Sequence, residues 1–165
     1  MPKLIKDGSI VDDSYSFVAA NEDGSLPALP AGPVLVKLAV WKQHRDVLLA
    51  HPHAKGVQLA PDEFAEALAD DLDKLALVAI EFPAFADGRG YSTAYILRGR
   101  LGFKGELRAV GDVLKDTLFY QQRSGFDAFV LKADKDAQDA LKALQTFQSP
   151  YQGSASNPAP LYQRR

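Results

Sequence analysis

The sequence predicts an α/β protein in which βα units alternate around a parallel sheet, preceded by a short β-hairpin. Three observations support this fold class. Short β-branched and apolar runs alternate with amphipathic segments over residues 34–147. The run at 75–80 is apolar at successive positions, which is typical of a strand covered on both faces. An Arg-Leu-Gly-Phe motif at 100–103 returns as Arg-Ser-Gly-Phe at 123–126, and each copy is typical of the end of a helix before a strand.

The N-terminal arm, residues 1–33, is predicted to contain short strands and loops. Asp7 and Gly8 separate two short segments, 3–6 and 9–11, and Asp-Gly is favoured at the positive-φ positions of a tight hairpin turn. A third short strand is predicted at 14–19. Residues 27–33 contain three prolines and are predicted to form the loop that leads into the core.

The core, residues 34–147, is predicted to contain five strands, each followed by a helix. The strands are predicted at 34–41, 56–59, 75–82, 106–110 and 128–132, and the helices at 44–50, 61–72, 90–101, 113–124 and 136–147. This order implies parallel pairing and leaves two architectures open, an open sheet and a partial barrel. Residues 148–165, rich in Pro, Gly and Ser, are predicted to form a flexible tail beyond a single domain at 1–147.

The composition restricts the classes of function. The chain has 165 residues, a formal net charge of −2 and no cysteine. The lack of cysteine excludes disulfides, thiolate-bound metal centres and thiol catalysis by this chain. The net charge does not favour nucleic acid or an anionic membrane as a partner. We see no secretory signal, no apolar run of membrane-spanning length and no metal-ligand motif, so we expect a cytoplasmic protein without a metal site.

The segment that follows the most apolar strand holds the first group of candidate site residues. Ligands collect at the carboxyl ends of parallel strands, and glycines at a helix start let an anion approach backbone N–H groups. The predicted anion- or cofactor-binding residues here are Gly88, Arg89, Gly90, Tyr91 and Ser92. The pattern is an incomplete dinucleotide fingerprint, because Thr93 stands where a third Gly or Ala is required. A purely structural glycine-rich connection is the alternative interpretation.

The second group extends to the next strand. Arg108 and Gly111 are further candidate anion-binding residues. The candidate catalytic residues are carboxylates at strand ends, which are costly to bury unless they are paired or used at a site: Glu81, Asp87 and Asp112. Two structural alternatives stay open, namely that Glu81 is a rim residue beside a basic side chain and that Asp112 is the N-cap of the next helix. These residues do not identify a cofactor.

Residues 85–129 carry four motifs that together resemble a known family. They are Asp-Gly-Arg-Gly-Tyr-Ser at 87–92, Leu-Arg at 97–98, Gly-Glu-Leu-Arg-Ala-Val-Gly-Asp-Val-Leu at 105–114 and Arg-Ser-Gly-Phe-Asp at 123–127. With these motifs the chain resembles a bacterial family known as domain of unknown function 934. Members of that family are described as probable oxidoreductases or accessory proteins of sulfite reduction. The resemblance therefore implies a place in assimilatory sulfite or sulfate reduction, and it assigns no catalytic residue.

The resemblance and the composition together favour an accessory role. A chain without cysteine cannot supply the thiolate ligands of a sirohaem iron–sulfur centre. We therefore expect a partner of the sulfite reductase haemoprotein, or a protein that binds an anionic small molecule at the strand carboxyl ends. Two alternatives stay open. One is a small α/β enzyme acting on a phosphorylated or anionic metabolite. The other is a structural module that forms a homodimer through an exposed strand edge in the N-terminal arm or through the tail.

Overall fold

The computed structural model describes residues 3–84, 87–132 and 136–144, and its centre is an open, curled sheet of eight strands. The strands are β1 (Lys3–Lys6), β2 (Ser9–Val11), β3 (Ser16–Phe17), β4 (Val34–Lys37), β5 (Lys55–Leu59), β6 (Leu77–Phe82), β7 (Glu106–Gly111) and β8 (Ala128–Leu131). Their spatial order is β2-β1-β8-β7-β6-β5-β4-β3. Strands β3 to β8 pair in parallel, whereas β1 is antiparallel to both of its neighbours. From β3 to β8 the order follows the chain, as in a barrel, so the sheet is a half-barrel.

Helices cover one face of this sheet. They are α1 (Leu38–Gln43), α2 (Arg45–Ala50), α3 (Arg89–Tyr95), α4 (Lys115–Ser124) and α5 (Ala137–Leu144). Helix α3 continues into one π-helical turn, Ile96–Arg100. The main hydrophobic core lies between these helices and alternate strand residues such as Val57, Ile80 and Phe129. No helix in the described part of the chain is long and apolar enough to cross a lipid bilayer.

The other face of the sheet, called the inner face below, carries a separate and smaller apolar cluster. Its members are Leu35, Leu77 and Ala79, with Tyr15 and Val110 packed against them. Residues two apart on a strand share a face, so Glu106 and Arg108 of β7 point to the same inner side as Val110. The inner face therefore combines apolar side chains with charged ones.

The connection between β2 and β3 requires the sheet to curl. These strands lie at the two opposite edges of the sheet, which would be about 34 Å apart if eight strands were laid flat. Only residues 12–15 separate Val11 from Ser16, and that stretch of chain spans at most about 18 Å. The two edges are therefore drawn towards each other, and residues 12–15, called the strap below, cross the inner face.

The local features of the N-terminal arm confirm the predictions. Asp7 and Gly8 have φ values of 51° and 77°, as a type I′ turn requires, and Lys6 pairs with Ser9 across it. The predicted third strand is β3, although it is only two residues long. The repeated motif also behaves as predicted, because both of its glycines have positive φ and both of its phenylalanines are buried.

One predicted strand is too long. Residues 34–41 are predicted as a strand, but β4 ends at Lys37 and α1 begins at Leu38. The helical turn buries Trp41 and places its Nε1 2.8 Å from Asp71 Oδ2, to which it donates a hydrogen bond. Tertiary packing therefore overrides the β propensity of this apolar run.

Two predicted helices also differ. Residues 61–72 form no α-helix and contain two short 3₁₀ turns, one at Ala65–Leu68 and the second beginning at Leu72. Glu63 accepts a hydrogen bond from the Ala60 N–H, so this acidic residue closes a turn before the first of them. Of the last predicted helix, α5 is described to Leu144, and residues 145–147 and the tail at 148–165 lie outside the described residues.

Candidate functional site

The carboxyl ends of β6 and β7 bring both groups of candidate residues to one edge of the sheet. The two strands are parallel neighbours, with Glu81 opposite Val110 and Phe82 opposite Gly111. The Asp112 N–H donates to the Phe82 carbonyl oxygen at 2.7 Å. The segments that follow these strands therefore start side by side, as the parallel order predicts.

Asp87 and Arg89 are bound to each other at this edge. The Arg89 guanidinium donates to the Asp87 carboxylate, with Nη2 2.6 Å from Oδ2, and the Arg89 backbone N–H donates to Oδ1 at 3.0 Å. The side chain and then the backbone N–H of Arg89 hold the pKa of Asp87 below its ordinary value. Asp87 is therefore ionised at neutral pH, and it closes the turn that opens α3.

Two of the three candidate glycines are required by close packing. A Cβ atom at Gly90 would lie 2.6 Å from Cζ of Phe82, and a Cβ atom at Gly111 would collide with the Phe82 carbonyl oxygen. Gly111 also has a φ of 92°, which side-chain-bearing residues rarely adopt. Gly88 has open space at its Cβ position. Packing thus explains why positions 90 and 111 are glycine without any need for a ligand. It does not explain why position 88 is glycine.

The alternative role of Asp112 as an N-cap is wrong. Helix α4 begins at Lys115, Leu114 occupies the cap position, and no side chain caps this helix. Helix formation starts later than predicted because Gly111, with its positive φ, opens a tight turn that ends in a bond from the Val113 N–H to its carbonyl. Asp112 pairs with Lys132, with Oδ1 2.5 Å from Nζ, and so links the ends of β7 and β8.

Tyr91 and Ser92 have different surroundings. The Tyr91 ring packs edge-on against Phe82, with ring centroids 5.3 Å apart, and burial raises the pKa of its hydroxyl. Ser92 is exposed at the first turn of α3. Of the two, Ser92 is the residue whose hydroxyl is open to a ligand from solvent.

Arg108 lies away from this edge, in the middle of the inner face. Its side chain is only 2% exposed. Its Nε and Nη2 atoms both lie 2.8 Å from Oε1 of Glu106, and its Nη1 donates to Oδ2 of Asp13 at 2.9 Å. The guanidinium is therefore held between a carboxylate of its own strand and one from the strap.

Two more residues complete this interior cluster, which consists of Lys6, Asp13, Tyr15, Glu106 and Arg108. The Lys6 Nζ lies 2.9 Å from Glu106 Oε2, and the hydrogen bond to Glu106 raises the pKa of Lys6. The Tyr15 ring lies over the Arg108 guanidinium at 5.3 Å, a cation–π contact, and burial raises the pKa of Tyr15. The cluster therefore brings two basic side chains, two acidic side chains and one phenol together.

The sequence identified Arg108 as a candidate and missed its partners. A Glu and an Arg two residues apart in an otherwise apolar strand lie on one face, and that spacing is the signal that could have identified Glu106. Asp13 left no comparable signal, because 95 positions of sequence separate it from Arg108.

A cavity of about 440 Å³ opens at the opposite edge of the sheet, beside the amino ends of β7 and β8. Arg98, which lines it, donates to the carbonyl oxygens of Phe103, Gly105 and Gly125 at 2.7–2.9 Å. Asp127, also in the lining, accepts a hydrogen bond from the Leu107 N–H, and burial raises its pKa. These contacts show that Arg98 and Asp127 hold together the loops that precede β7 and β8.

The described residues provide no obvious metal centre. Within 3–84, 87–132 and 136–144, no three His, Asp or Glu side chains are grouped so that they could hold a metal ion. His44 and His51 instead each hydrogen-bond through Nε2 to a backbone carbonyl of the arm, those of Gly24 and Gly32.

Comparison with known proteins places the chain in a family. A family model described as "Bacterial protein of unknown function (DUF934)" matches residues 56–162, which is more than half of the chain. The match begins in β5 and includes the carboxyl edge, Glu106 and Arg108. No curated protein is similar to the chain. The chain belongs to the DUF934 family of bacterial proteins of unknown function.

Proposed function

We propose that the chain is an accessory protein of assimilatory sulfite or sulfate reduction and that it acts as a protein partner of the sulfite reductase haemoprotein. The family resemblance implies the pathway. The lack of cysteine favours a partner role, because this chain cannot supply thiolate ligands to an iron–sulfur centre. The observation that supports a protein partner most directly is the surface formed where β5 to β8 end.

This surface, called the carboxyl-edge surface, is acidic. It comprises the described residues 60–64, 87–89, 112–116, 132 and 136–139, which together carry seven carboxylates and three cations. Each of the three cations is paired with a carboxylate of this same surface: Arg89 with Asp87, Lys115 with Asp139 and Lys132 with Asp112. The excess of negative charge suits a basic protein surface, since complementary charge speeds encounter and sets specificity.

Phe64 gives the same surface an apolar anchor. It follows the end of β5 and is 76% exposed, next to Asp62 and Glu63. Aromatic residues carry a large share of the binding energy in many protein interfaces, particularly when a polar rim surrounds them. We therefore place Phe64 at the centre of the contact with the reductase.

A binding assay between the full chain and purified sulfite reductase haemoprotein tests this proposal. We expect a complex with the wild-type chain and a loss of affinity of at least about tenfold for Phe64→Ser. Tyr120→Ser is the matched control, because Tyr120 is a similarly exposed aromatic residue on α4. The absence of a wild-type complex, or an equal loss in both variants, would contradict the proposed contact.

A growth experiment tests the pathway separately. We expect a strain that lacks this gene to grow slowly on sulfate as sole sulfur source and to recover with the wild-type gene. Normal growth of the deletion strain would count against any role in this pathway, whatever the binding assay shows.

The second candidate function is the binding of an anionic small molecule at the strand carboxyl ends, through residues 88–92 and Gly111; Arg108, also predicted for this site, lies too far from the edge to take part. The unexplained Gly88 and the exposed Ser92 at the start of α3 favour it. Calorimetry with inorganic phosphate tests it, since Arg89→Ala should weaken binding about tenfold or more by removing a charge-assisted hydrogen bond. An affinity that Arg89→Ala leaves unchanged would argue against this second candidate.

A further inference from the structure

We propose that the Asp13 carboxylate is an exchangeable plug in an oxyanion-binding site on the inner face, and that Arg108, Glu106 and Lys6 form the fixed part of that site. The ligand would be a small oxyanion of the size of sulfate or phosphate. The site is distinct from the carboxyl-edge surface, and the inference does not rest on the reductase contact proposed above.

The fixed part of the site belongs to the sheet. Glu106 and Arg108 are residues of β7, and Lys6 is the last residue of β1, which is separated from β7 only by β8. Glu106 binds Arg108 through Oε1 and Lys6 through Oε2. Two cations and one carboxylate leave one positive charge. The Lys6 side chain is 42% exposed and is solvated, whereas Arg108 is only 2% exposed and so depends on anionic partners.

The plug belongs to a segment outside the sheet. Asp13 lies in the strap, which forms neither strand nor helix, and its side chain is 34% exposed. Its Oδ2 accepts one hydrogen bond from Arg108 Nη1, and its Oδ1 accepts the N–H of Tyr15 in the same strap. Solvent therefore reaches the plug, and a dissolved anion can take its place without disturbing the buried Glu106.

The geometry around Arg108 sets the direction from which an anion would bind. The Tyr15 ring covers one face of the guanidinium, and Glu106 occupies the edge formed by Nε and Nη2. The Nη1 side, which now faces Asp13, is left for the ligand. A planar guanidinium presents its N–H groups in the plane, an arrangement that suits carboxylate, phosphate and sulfate oxygens.

Calorimetric titration of the full chain with sodium sulfate tests the proposal. Asp13→Asn keeps the shape of the side chain and removes its charge, so we expect it to bind sulfate at least about tenfold more tightly than the wild-type chain does. Asp12→Asn is the matched control, since it makes the same charge change at the neighbouring exposed residue and should leave the affinity at the wild-type value. If Asp13→Asn binds sulfate no more tightly than Asp12→Asn, the proposal is wrong.

Two further measurements show whether sulfate binds at Arg108. The second uses the wild-type chain, so its result does not depend on a variant that folds correctly. Adding Arg108→Lys to Asp13→Asn should abolish the gain in affinity, and a gain that persists would show that the anion binds elsewhere. In the wild-type chain, excess sulfate should speed hydrogen exchange at the Tyr15 amide relative to chloride of equal ionic strength, because displaced Asp13 frees the strap. Unchanged exchange at that amide would contradict exchange of the plug.

Discussion

Two of the arginine–carboxylate networks among the described residues, those of Arg45 and Arg108, are built in opposite ways. In the first, Asp71 is the enclosed partner with 10% of its side chain exposed, whereas 40% of the Arg45 side chain is exposed. In the interior cluster Arg108 is the enclosed partner, and Asp13 is the one that meets solvent. From this difference in exposure we expect an anion from solution to compete with a carboxylate only in the interior cluster, where the carboxylate is the exposed partner.

The first network is a structural clamp. Arg45 binds Asp71 through Nε and Nη2, with Nη2 2.6 Å from Oδ1, and Trp41 donates to Oδ2. These bonds join α1 and α2 to the irregular segment before β6. Only 10% of the Asp71 side chain is exposed, so we expect a dissolved anion not to displace its carboxylate.

The largest expected effect comes from removing the buried cation of the interior cluster. Arg108→Met leaves Glu106 and Asp13 without their shared partner, and we expect it to lower the free energy of unfolding by about 3–5 kcal/mol in urea denaturation. Arg89→Met, which breaks an exposed ion pair at the carboxyl edge, should change stability far less. Equal losses of unfolding free energy in the two variants would contradict the expectation that the buried arginine contributes more to stability than the exposed one.

The next largest effect concerns the clamp and its dependence on pH. Asp71→Asn should cost about 1.5–3 kcal/mol at neutral pH, because the charged hydrogen bonds to Arg45 and Trp41 are weakened. The Arg45 guanidinium, followed by Trp41, holds the pKa of Asp71 below its usual range, while the unfolded chain has a value of about 3.9.

The sign of the pH effect follows from these two pKa values. The stability that Asp71 contributes is fully present above the unfolded pKa and is lost as the pH falls through the lower folded pKa. Acid unfolding followed by circular dichroism should therefore show a shallower loss of stability for Asp71→Asn than for wild type below about pH 4. Identical pH profiles would mean that Asp71 is not the ionised partner in the folded clamp.

The smallest expected effect concerns two glycines at the carboxyl edge, which belong to neither network. Gly111→Ala forces a Cβ atom against the Phe82 carbonyl at a positive φ, and we expect a loss of about 1–3 kcal/mol. Gly88→Ala, with open space and a φ of −90°, should cost nothing measurable. Thermal melts of the two variants provide the check, and a Gly88→Ala defect as large as that of Gly111→Ala would show that the packing explanation is incomplete.

The sequence predicted the parts of the fold that depend on local pattern. The alternation at 34–147, the Asp7-Gly8 turn and the repeated glycine stops are local, so they could be identified without the structure. The strand predicted at 34–41 is wrong at its carboxyl end. There the chain turns into a helix that lets Trp41 hydrogen-bond to Asp71, a residue far along the chain. The sequence left an open sheet and a partial barrel as alternatives. It could not decide between them, because the curl of the sheet depends on the short strap that joins opposite edges.

The candidate site also has a part that the sequence predicted and a part that it did not. The shared edge of Glu81, Asp87 and Asp112 follows from parallel order alone, which the sequence supplies. The interior cluster needs the strap to fold back across the inner face, and no spacing in the sequence encodes the meeting of Asp13 with Arg108. Long-range contacts of this kind cannot be predicted from the residue pattern of a single sequence.

The most direct test of the difference between the two networks is thermal unfolding of Asp13→Asn and Asp71→Asn in sulfate and in chloride of equal ionic strength. Sulfate stabilises folded proteins in general through exclusion from their surface, so the comparison between the variants is the informative quantity. We predict that sulfate raises the Tm of Asp13→Asn beyond this general increase and towards the wild-type value, whereas Asp71→Asn shows the general increase alone. An equal rise in both variants would contradict the claim that the outer carboxylate of the interior cluster is exchangeable.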